Sequence, residues 1–227
     1  MAKHLERELE KLKKRILTLG ALVEERVRMA IRSMESRDAD LAEKVIKEDY
    51  EIDEIEVEVE EECLKILALH QPVAVDLRFL ISVIKINSDL ERIGDEAVNI
   101  AQCVEIISKK NKVEVPFDYS LMAEKTAAML KESLDSLVNL DLDEAFRVLT
   151  LDDDVDHIYG EIYDQVKGVI QKNPGRAGYL INLLLISRHL ERIADHATNI
   201  AEEVIYLIEG DIIRHGKWEG DPEAQGS

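Results

Sequence analysis

Leu5, Leu9, Leu12, Ile16, Leu19, Val23, Val27, Ala30 and Met34 recur at steps of three and four, the spacing of one face of a helix. A long amphipathic helix is therefore predicted up to about Met34. "SRDADLAEK" interrupts it, with Ser36 or Asp38 placed to cap a second helix from near Asp40 to about Leu69. Pro72 in "HQPVAVDLR" breaks the chain, and a third helix carries Leu77 through about Ser108. "KKNKVEVPFDYS" is poor in helix signals and reads as a linker. The pattern then restarts, with helices predicted over Ser120 to Asn139, Asp141 to Lys172 and, after a break at "KNPGRAG", Ala177 to Glu209. The remaining "GDIIRHGKWEGDPEAQGS" loses periodicity and is expected to be a flexible tail.

The restart is a repeat. "DLERIGDEAVNIAQCV" (Asp89 to Val104) returns as "HLERIADHATNIAEEV" (His189 to Val204), and Ala39 to Glu56 aligns with Leu142 to Tyr159. The predicted fold is all-α: two tandem, sequence-related three-helix bundles packed side by side, six helices in all. The expected divisions are a first repeat over 1–112, a second over 113–210 and a tail over 211–227. With only two copies, a solenoid is not expected.

Composition sharpens this picture. The chain of 227 residues is nearly half apolar and poor in aromatics, Pro and Gly, which suits long helices. A net charge of −19 argues against nucleic-acid binding and against adsorption to an anionic membrane. Cys63 and Cys103 each lie in an apolar-periodic stretch and read as buried thiols in a reducing compartment. "MAKHLERELEKLKKRI" is not a signal peptide, and "YLINLLLI" is too short to span a bilayer. A cytoplasmic location without membrane insertion is expected.

The candidate chemistry lies in the helix stripes. The fifth helix reads Ala145, Leu149, Asp152, Asp156, Tyr159, Tyr163, and the aligned positions in the first copy are Asp49 and Asp53. The third helix carries Glu91 and Asp95 after Leu77, Ile81, Ile84 and Ser88; the sixth carries Glu191 and Asp195 after Leu180, Leu184 and Ser187. Carboxylates at i and i+4 share one helix face and repel. Where adjacent helices join two such pairs, burial costs several kcal/mol per ion unless protonation, a Lys or Arg, or a cation compensates. One D-x-x-x-D on a helix is ordinarily a solvated face. Four pairs at matching places in a repeat point to a cation.

Oxygen ligands select iron, manganese, magnesium or calcium, with zinc admitted when a His joins. Asn99 and Asn199 continue the i+4 series and are candidate amide donors, while Arg92 and Arg192 sit a quarter-turn away. His196 does not reproduce the Glu-x-x-His of di-iron bundles. His70, His157 and His189 read as surface or boundary residues. No Gly-rich phosphate loop and no G-x-S-x-G nucleophile motif is present. The residues alone leave open a metal-binding regulator, a carboxylate-bridged metalloenzyme (oxidase or hydrolase) and a metal-storing helical protein.

"QPVAVDLR" at Gln71 to Arg78, "SDLERIGDEAVNIA" at Ser88 to Ala101 and "RHLERIADHATNIAE" at Arg188 to Glu202 resemble the PhoU family over nearly the whole chain to about Glu209. The resemblance implies two three-helix bundles side by side, often in a homodimer, binding multinuclear iron or zinc clusters. One site would use Asp49, Asp53, Glu91 and Asp95, the other Asp152, Asp156, Glu191 and Asp195. It further implies a non-enzymatic, cytoplasmic negative regulator linking the ATPase subunit of the phosphate ABC transporter to a sensor histidine kinase. Two departures stand out. "HQPVAVDLR" has no full counterpart in the second copy, and His189 and His196 stand where the first copy has Asp89 and Glu96. The second site is therefore expected to differ in metal preference, with the histidines as candidate nitrogen donors.

Overall fold

Each predicted helix is present in the structure, a computed structural model describing residues 2–110 and 119–212. The linker expected around 109–120 falls largely, and the tail from 213 onward wholly, outside the described residues, as does the expected boundary between 112 and 113. The elements are α1 (Ala2–Ser36), α2 (Ala39–Lys47), α3 (Tyr50–His70), α4 (Ala74–Ser108), α5 (Tyr119–Asn139), α6 (Leu142–Lys172) and α7 (Ala177–Glu209), with a 3-10 turn at Pro174–Arg176. Helix α4 packs on α1, α2 and α3; α7 packs on α5 and α6. The two three-helix units meet chiefly along α4 and α7, with α1 also touching α5.

The first loop of each unit is built the same way. Arg37 and Leu140 adopt left-handed backbone at φ 56° and 52°. The next amides reach back across the helix end, Asp38 to the Ser33 carbonyl at 3.0 Å and Asp141 to that of Ser136 at 3.1 Å, closing the orphaned carbonyl turn. Each aspartate then caps the following helix. Asp38 accepts from the amides of Asp40 and Leu41 at 3.0 Å, and Asp141 from that of Glu144 at 3.1 Å. Asp38, not Ser36, is therefore the cap. At the far end, α7 stops at Gly210 (φ 88°), with the tip of the Arg78 side chain against it. Left-handed backbone of this kind favours glycine.

Two boundaries differ from the sequence reading. Helix α4 starts at Ala74 rather than Leu77. The predicted second helix is interrupted at Glu48 and Asp49 and becomes α2 and α3, whereas α6 runs through the aligned positions. At the break Glu48 has φ −96° and ψ 5°, and tight i to i+3 bonds join the Ile52 amide to the Asp49 carbonyl at 2.8 Å and the Glu51 amide to that of Glu48 at 3.2 Å. Behind it lies Arg26, 4% exposed, paired with Glu48 at 2.7 Å and with Glu51. Opposite it, Gly94 makes room for Ile52, whose Cδ1 would be 2.9 Å from a Cβ there. The C-terminal copy carries Leu151, Asp154, Val155 and Ala194 at the aligned positions. It has neither the second carboxylate for a buried arginine nor the notch.

The core is aliphatic, with Leu12, Leu19, Ile66, Leu80, Ile86, Leu90 and Ile100 fully buried. Cys63 and Cys103 are free and buried, as expected, and burial pushes the Cys63 thiol up to about 12. Among the described residues no helix is long and apolar enough to cross a membrane.

Candidate metal centres

The buried stripe of α6 is Ala145, Val148, Val155, Ile162 and Val166. Asp152, half-buried, and Asp156, exposed, lie along its edge, as do Glu91 and Asp95 beside Leu90, Ile93 and Gly94 on α4. The carboxylates therefore flank the core rather than interrupt its centre, and Leu77 and Tyr163 are exposed instead of buried. A 3.6-residue period admits two neighbouring stripes three and four apart, and residue spacing alone does not choose between them.

The C-terminal centre joins α6 and α7. Asp156, Glu191 and Asp195 each present a ligand atom within 4.8 Å of the others. Asp152 sits one turn before Asp156, in an open cavity shared with Asp195, Arg192, His196, Thr198 and Asn199. Burial, with Asp195 and Asp156 nearby, pushes the Asp152 carboxyl up to about 7 despite a hydrogen bond from Thr198. Burial and Asp195 raise Glu191, burial and Asp156 raise Asp195, and burial and Asp153 raise Asp156. Asp152 Oδ1 and Glu191 Oε2 are inaccessible to solvent and find no hydrogen-bond partner among the described residues. Orphaned, buried anionic oxygens are what a cation would satisfy, and protonation is the alternative.

The N-terminal centre joins the α2–α3 break to α4. Burial, then Asp53 and Asp95, push Asp49 up to about 6, while Arg26 works against them. Burial and the neighbouring carboxylates likewise raise Glu91 and Asp95. A residue that the sequence reading missed belongs here. Glu56 is raised by burial and by Glu60 and Asp53, and in turn acts on Glu91. It lies one turn beyond Asp53, so continuing the stripe past the aspartates would have found it.

The structure brings all eight predicted carboxylates into two groups, Asp49, Asp53, Glu91 and Asp95 in one and Asp152, Asp156, Glu191 and Asp195 in the other, through the mutual influences just described. Both centres offer oxygen donors suited to hard cations. Iron, manganese, magnesium and calcium all fit that donor chemistry, and zinc would need a nitrogen.

The histidines join the two units. His189 Nδ1 meets Glu96 Oε2 at 2.6 Å, and His196 Nδ1 meets Asp89 Oδ1 at 2.9 Å. Arg192 adds a 2.8 Å pair to Glu96 Oε1, and Asn199 donates to Asp89 Oδ1 at 3.2 Å. Asn99 donates to Glu96 at 3.4 Å. The expected nitrogen donors thus spend Nδ1, but not Nε2, on the α4–α7 seam, and half-buried His189 is a boundary residue at that seam. The signal was in the repeat alignment. Asp89 aligns with His189 and Glu96 with His196, and a pseudo-twofold seam matches each residue with the partner of its own counterpart. Burial pushes Glu96 up, but the hydrogen bond and charge of His189, with Arg192 and Asn99, outweigh it and hold the carboxyl below its usual range. His70 is also engaged, 2.6 Å from Glu8, whereas His157 is exposed.

Comparison with known proteins places this geometry. The family profile described as "PhoU domain" matches residues 16–104 and again 119–204, one match per unit. The phosphate-specific transport system accessory protein PhoU homolog of Clostridium acetobutylicum is 35% identical over 209 residues, covering 92% of this chain and 95% of its own length. Among solved structures, PhoU from Pseudomonas aeruginosa superposes with a TM-score of 0.87 at 36% identity, covering 91% of this chain and 99% of that one. The phosphate transport system regulatory protein PhoU from Streptococcus pneumoniae gives 0.81 at 31% identity, covering 92% and 98%.

Proposed function

Because this chain belongs to the PhoU family, we propose that it is a regulator of phosphate transport, acting as an accessory protein of a phosphate-specific transporter. The observation that carries the reading is the extent of the match: both units and 92% of the chain align with a protein named for that role. In finer detail, the protein is a non-enzymatic, cytoplasmic negative regulator. It contacts the transporter's ATPase subunit and a sensor histidine kinase, as a homodimer, and holds the starvation response off when phosphate is plentiful. The strongly acidic chain suits docking to basic surfaces of such partners.

Metal ions belong to this reading. The C-terminal centre holds one through Asp156, Glu191 and Asp195, with Asp152 beside them. The N-terminal centre uses Asp49, Asp53, Glu91 and Asp95. A bound cation would neutralise each group of like charges and tie the two helices that carry it into one unit. Iron is the favoured occupant, with manganese, magnesium or calcium compatible. Zinc, favoured alongside iron, would call on a nitrogen donor, and the seam bonds of His189 and His196 use Nδ1, leaving Nε2 for that role.

Deletion of the protein should derepress a phosphate-starvation reporter in high phosphate, and the wild-type chain should restore repression. The paired substitutions Glu191→Gln and Asp195→Asn should lower the metal content of protein purified without chelator while leaving the helices intact. A reporter that stays repressed without the protein rejects the regulatory role. Unchanged metal content rejects the C-terminal centre and leaves the regulatory role standing.

A further inference from the structure

Helix α3 is apolar on two opposite sides. Its inner side buries Ile52, Val59, Cys63 and Ile66 in the first unit. Its outer side carries Tyr50, Val57 and Leu64, which are 55%, 50% and 55% exposed, and exposed Ala68 follows one turn beyond Leu64. At 3.6 residues per turn these positions lie nearly opposite the buried stripe. The three large side chains stand seven residues apart, the spacing of a seam between two helices. A single exposed apolar residue needs no explanation. Three in one line, on a helix whose core face is already filled, do.

The other copy shows that the bundle does not require them. Helix α6 packs on α7 as α3 packs on α4. At the positions aligned with Tyr50, Val57, Leu64 and Ala68 it carries Asp153, Gly160, Lys167 and Gln171. The same place in the fold is thus held by a helix with no such outer stripe.

Charge narrows what could cover the stripe. Helix α3 holds eight carboxylates and one lysine, Lys65. Exposed Glu60 borders the stripe on one side, and exposed Glu54 and Glu61 on the other. Glu54, Val57 and Glu58, with Asp53, also line a shallow depression in the surface. A second copy laid on this face would set glutamates against glutamates, and such like-charge contact is costly. An anionic membrane is disfavoured on the same ground. A helix with an apolar stripe between rows of Lys or Arg suits both features. It covers Val57 and Leu64 while its cations face the glutamates, as flanking charges do in paired helices.

We propose that the outer face of α3 is a docking surface for a basic amphipathic helix of a partner protein, anchored on Val57 and Leu64 and flanked by Glu54, Glu60 and Glu61. The proposal rests on the reading of the chain as an accessory protein that acts by contact, and it assigns this contact to the first unit alone.

The probe is a synthetic, fluorescein-labelled helix of 21 residues, the length of α3, with leucine at heptad positions a and d, lysine at e and g, and alanine elsewhere. In anisotropy titrations the protein should bind it about tenfold more tightly than a version with alanine at a and d. Val57→Gln with Leu64→Gln alters exposed positions and keeps the net charge, and it should weaken binding about tenfold with unchanged helical circular dichroism. Glu54→Gln with Glu61→Gln should weaken it about threefold and flatten its salt dependence. Tyr163→Gln, at an exposed position of α6, should leave it unchanged. In cells, the Val57 and Leu64 double variant should fail to restore repression of the phosphate-starvation reporter, at normal metal content. Equal binding by wild type and that variant overturns the proposal, since the attraction is then diffuse charge. Sedimentation in which the variant turns a dimer into monomers overturns it too, because the occupant is then a second copy. Full repression by the variant also overturns it, as the face then has no partner in the cell. The peptide titration does not depend on the reporter, so a reporter that stays repressed without the protein rejects the regulatory role and leaves the docking surface to be judged by the titration.

Discussion

In the N-terminal copy the helix carrying Asp49 and Asp53 is broken, and buried Arg26 stands behind the break. In the C-terminal copy the helix carrying Asp152 and Asp156 is continuous, and the residue aligned with Glu51, Asp154, is met by the partly exposed Lys125 at 2.7 Å. The consequence is electrostatic. Burial dominates both groups: Asp49 reaches about 6 with Arg26 opposing the rise, and the more deeply buried Asp152 reaches about 7. In the N-terminal copy the opposing cations are Arg26 at Asp49, Arg92 at Glu91 and Arg192 at Asp95. In the C-terminal copy they are Arg188 and Arg192 at Glu191 and Asp195, while one oxygen each of Asp152 and Glu191 finds no partner among the described residues. The repeat has thus kept its carboxylates while changing which cations stand beside them.

The largest effect is expected where the copies are joined. Glu96 is 2% exposed and meets His189, Arg192 and Asn99; Asp89 meets His196 and Asn199. Removing one partner from a buried charged network costs about 3 kcal/mol or more. Glu96→Gln should therefore destabilise the protein by about 3 kcal/mol, and Asp89→Asn by roughly half that, because it strands fewer groups. Urea melts check both, and equal losses would mean that Arg192 contributes nothing to the seam. Glu96 also has its own pH signature. Its folded pKa is lowered, so its contribution is present above the unfolded value and is lost as pH falls through the folded one.

The carboxylate centres should behave in the opposite sense. Asp152 is raised from 3.8 to about 7 and Asp49 from 3.8 to about 6, so each binds more protons in the folded state. Their contributions are fully present below the unfolded pKa and disappear as pH rises through the folded pKa. Between pH 4 and 7, metal-free protein should lose about 2 kcal/mol through Asp152 and about 1 kcal/mol through Asp49, both figures discounted for partial exposure. Added cation favours the ionised carboxylates and should restore most stability at the neutral end. Melts at stepped pH, with chelator and with metal, should show that Asp152→Asn flattens the metal-free profile more than Asp49→Asn. Equal flattening would show that Arg26 does not distinguish the centres, and a profile indifferent to chelator would mean that no cation binds.

Much of this was legible in the chain. The repeat, the helix count and the grouping of Asp49, Asp53, Glu91 and Asp95 against Asp152, Asp156, Glu191 and Asp195 follow from period and alignment, since i to i+4 spacing fixes a shared face wherever a helix forms. The break at Glu48 was not legible. Its cause is tertiary: Arg26, distant in sequence, draws Glu48 and Glu51 together, while Gly94 on another helix admits Ile52. Local spacing carries no record of either contact. Nor could periodicity say whether the carboxylates lie in the seam or at its edge, because that depends on how broad a face α4 and α7 bury against each other. The seam role of the histidines was missed for a related reason: each Nδ1 pairs with a carboxylate of the other copy.

The smallest expected effect tests what makes the copies differ. Changing Gly94 to the alanine found at the aligned position 194 should gain about 1 kcal/mol in helix propensity. The new Cβ, however, would lie 2.9 Å from Ile52 Cδ1, and overpacking of that kind costs about 1–3 kcal/mol. A net loss of about 1 kcal/mol is expected. Ile52→Val, the residue found at the aligned position 155, removes that Cδ1 atom and should by itself cost about 1 kcal/mol in lost burial. Combined, the two changes should come close to wild-type stability, because the valine takes away the atom that the alanine strikes. The double-mutant cycle should then show a favourable coupling of about 1 kcal/mol or more, read from urea melts of the four proteins. Additive losses would mean that Ile52 simply moves aside and that the notch at Gly94 does not shape the break. If coupling is found while the pH profile of Asp49 is unchanged, the notch governs packing alone. The break then belongs to Arg26 and its two glutamates, the feature for which the C-terminal copy has no counterpart.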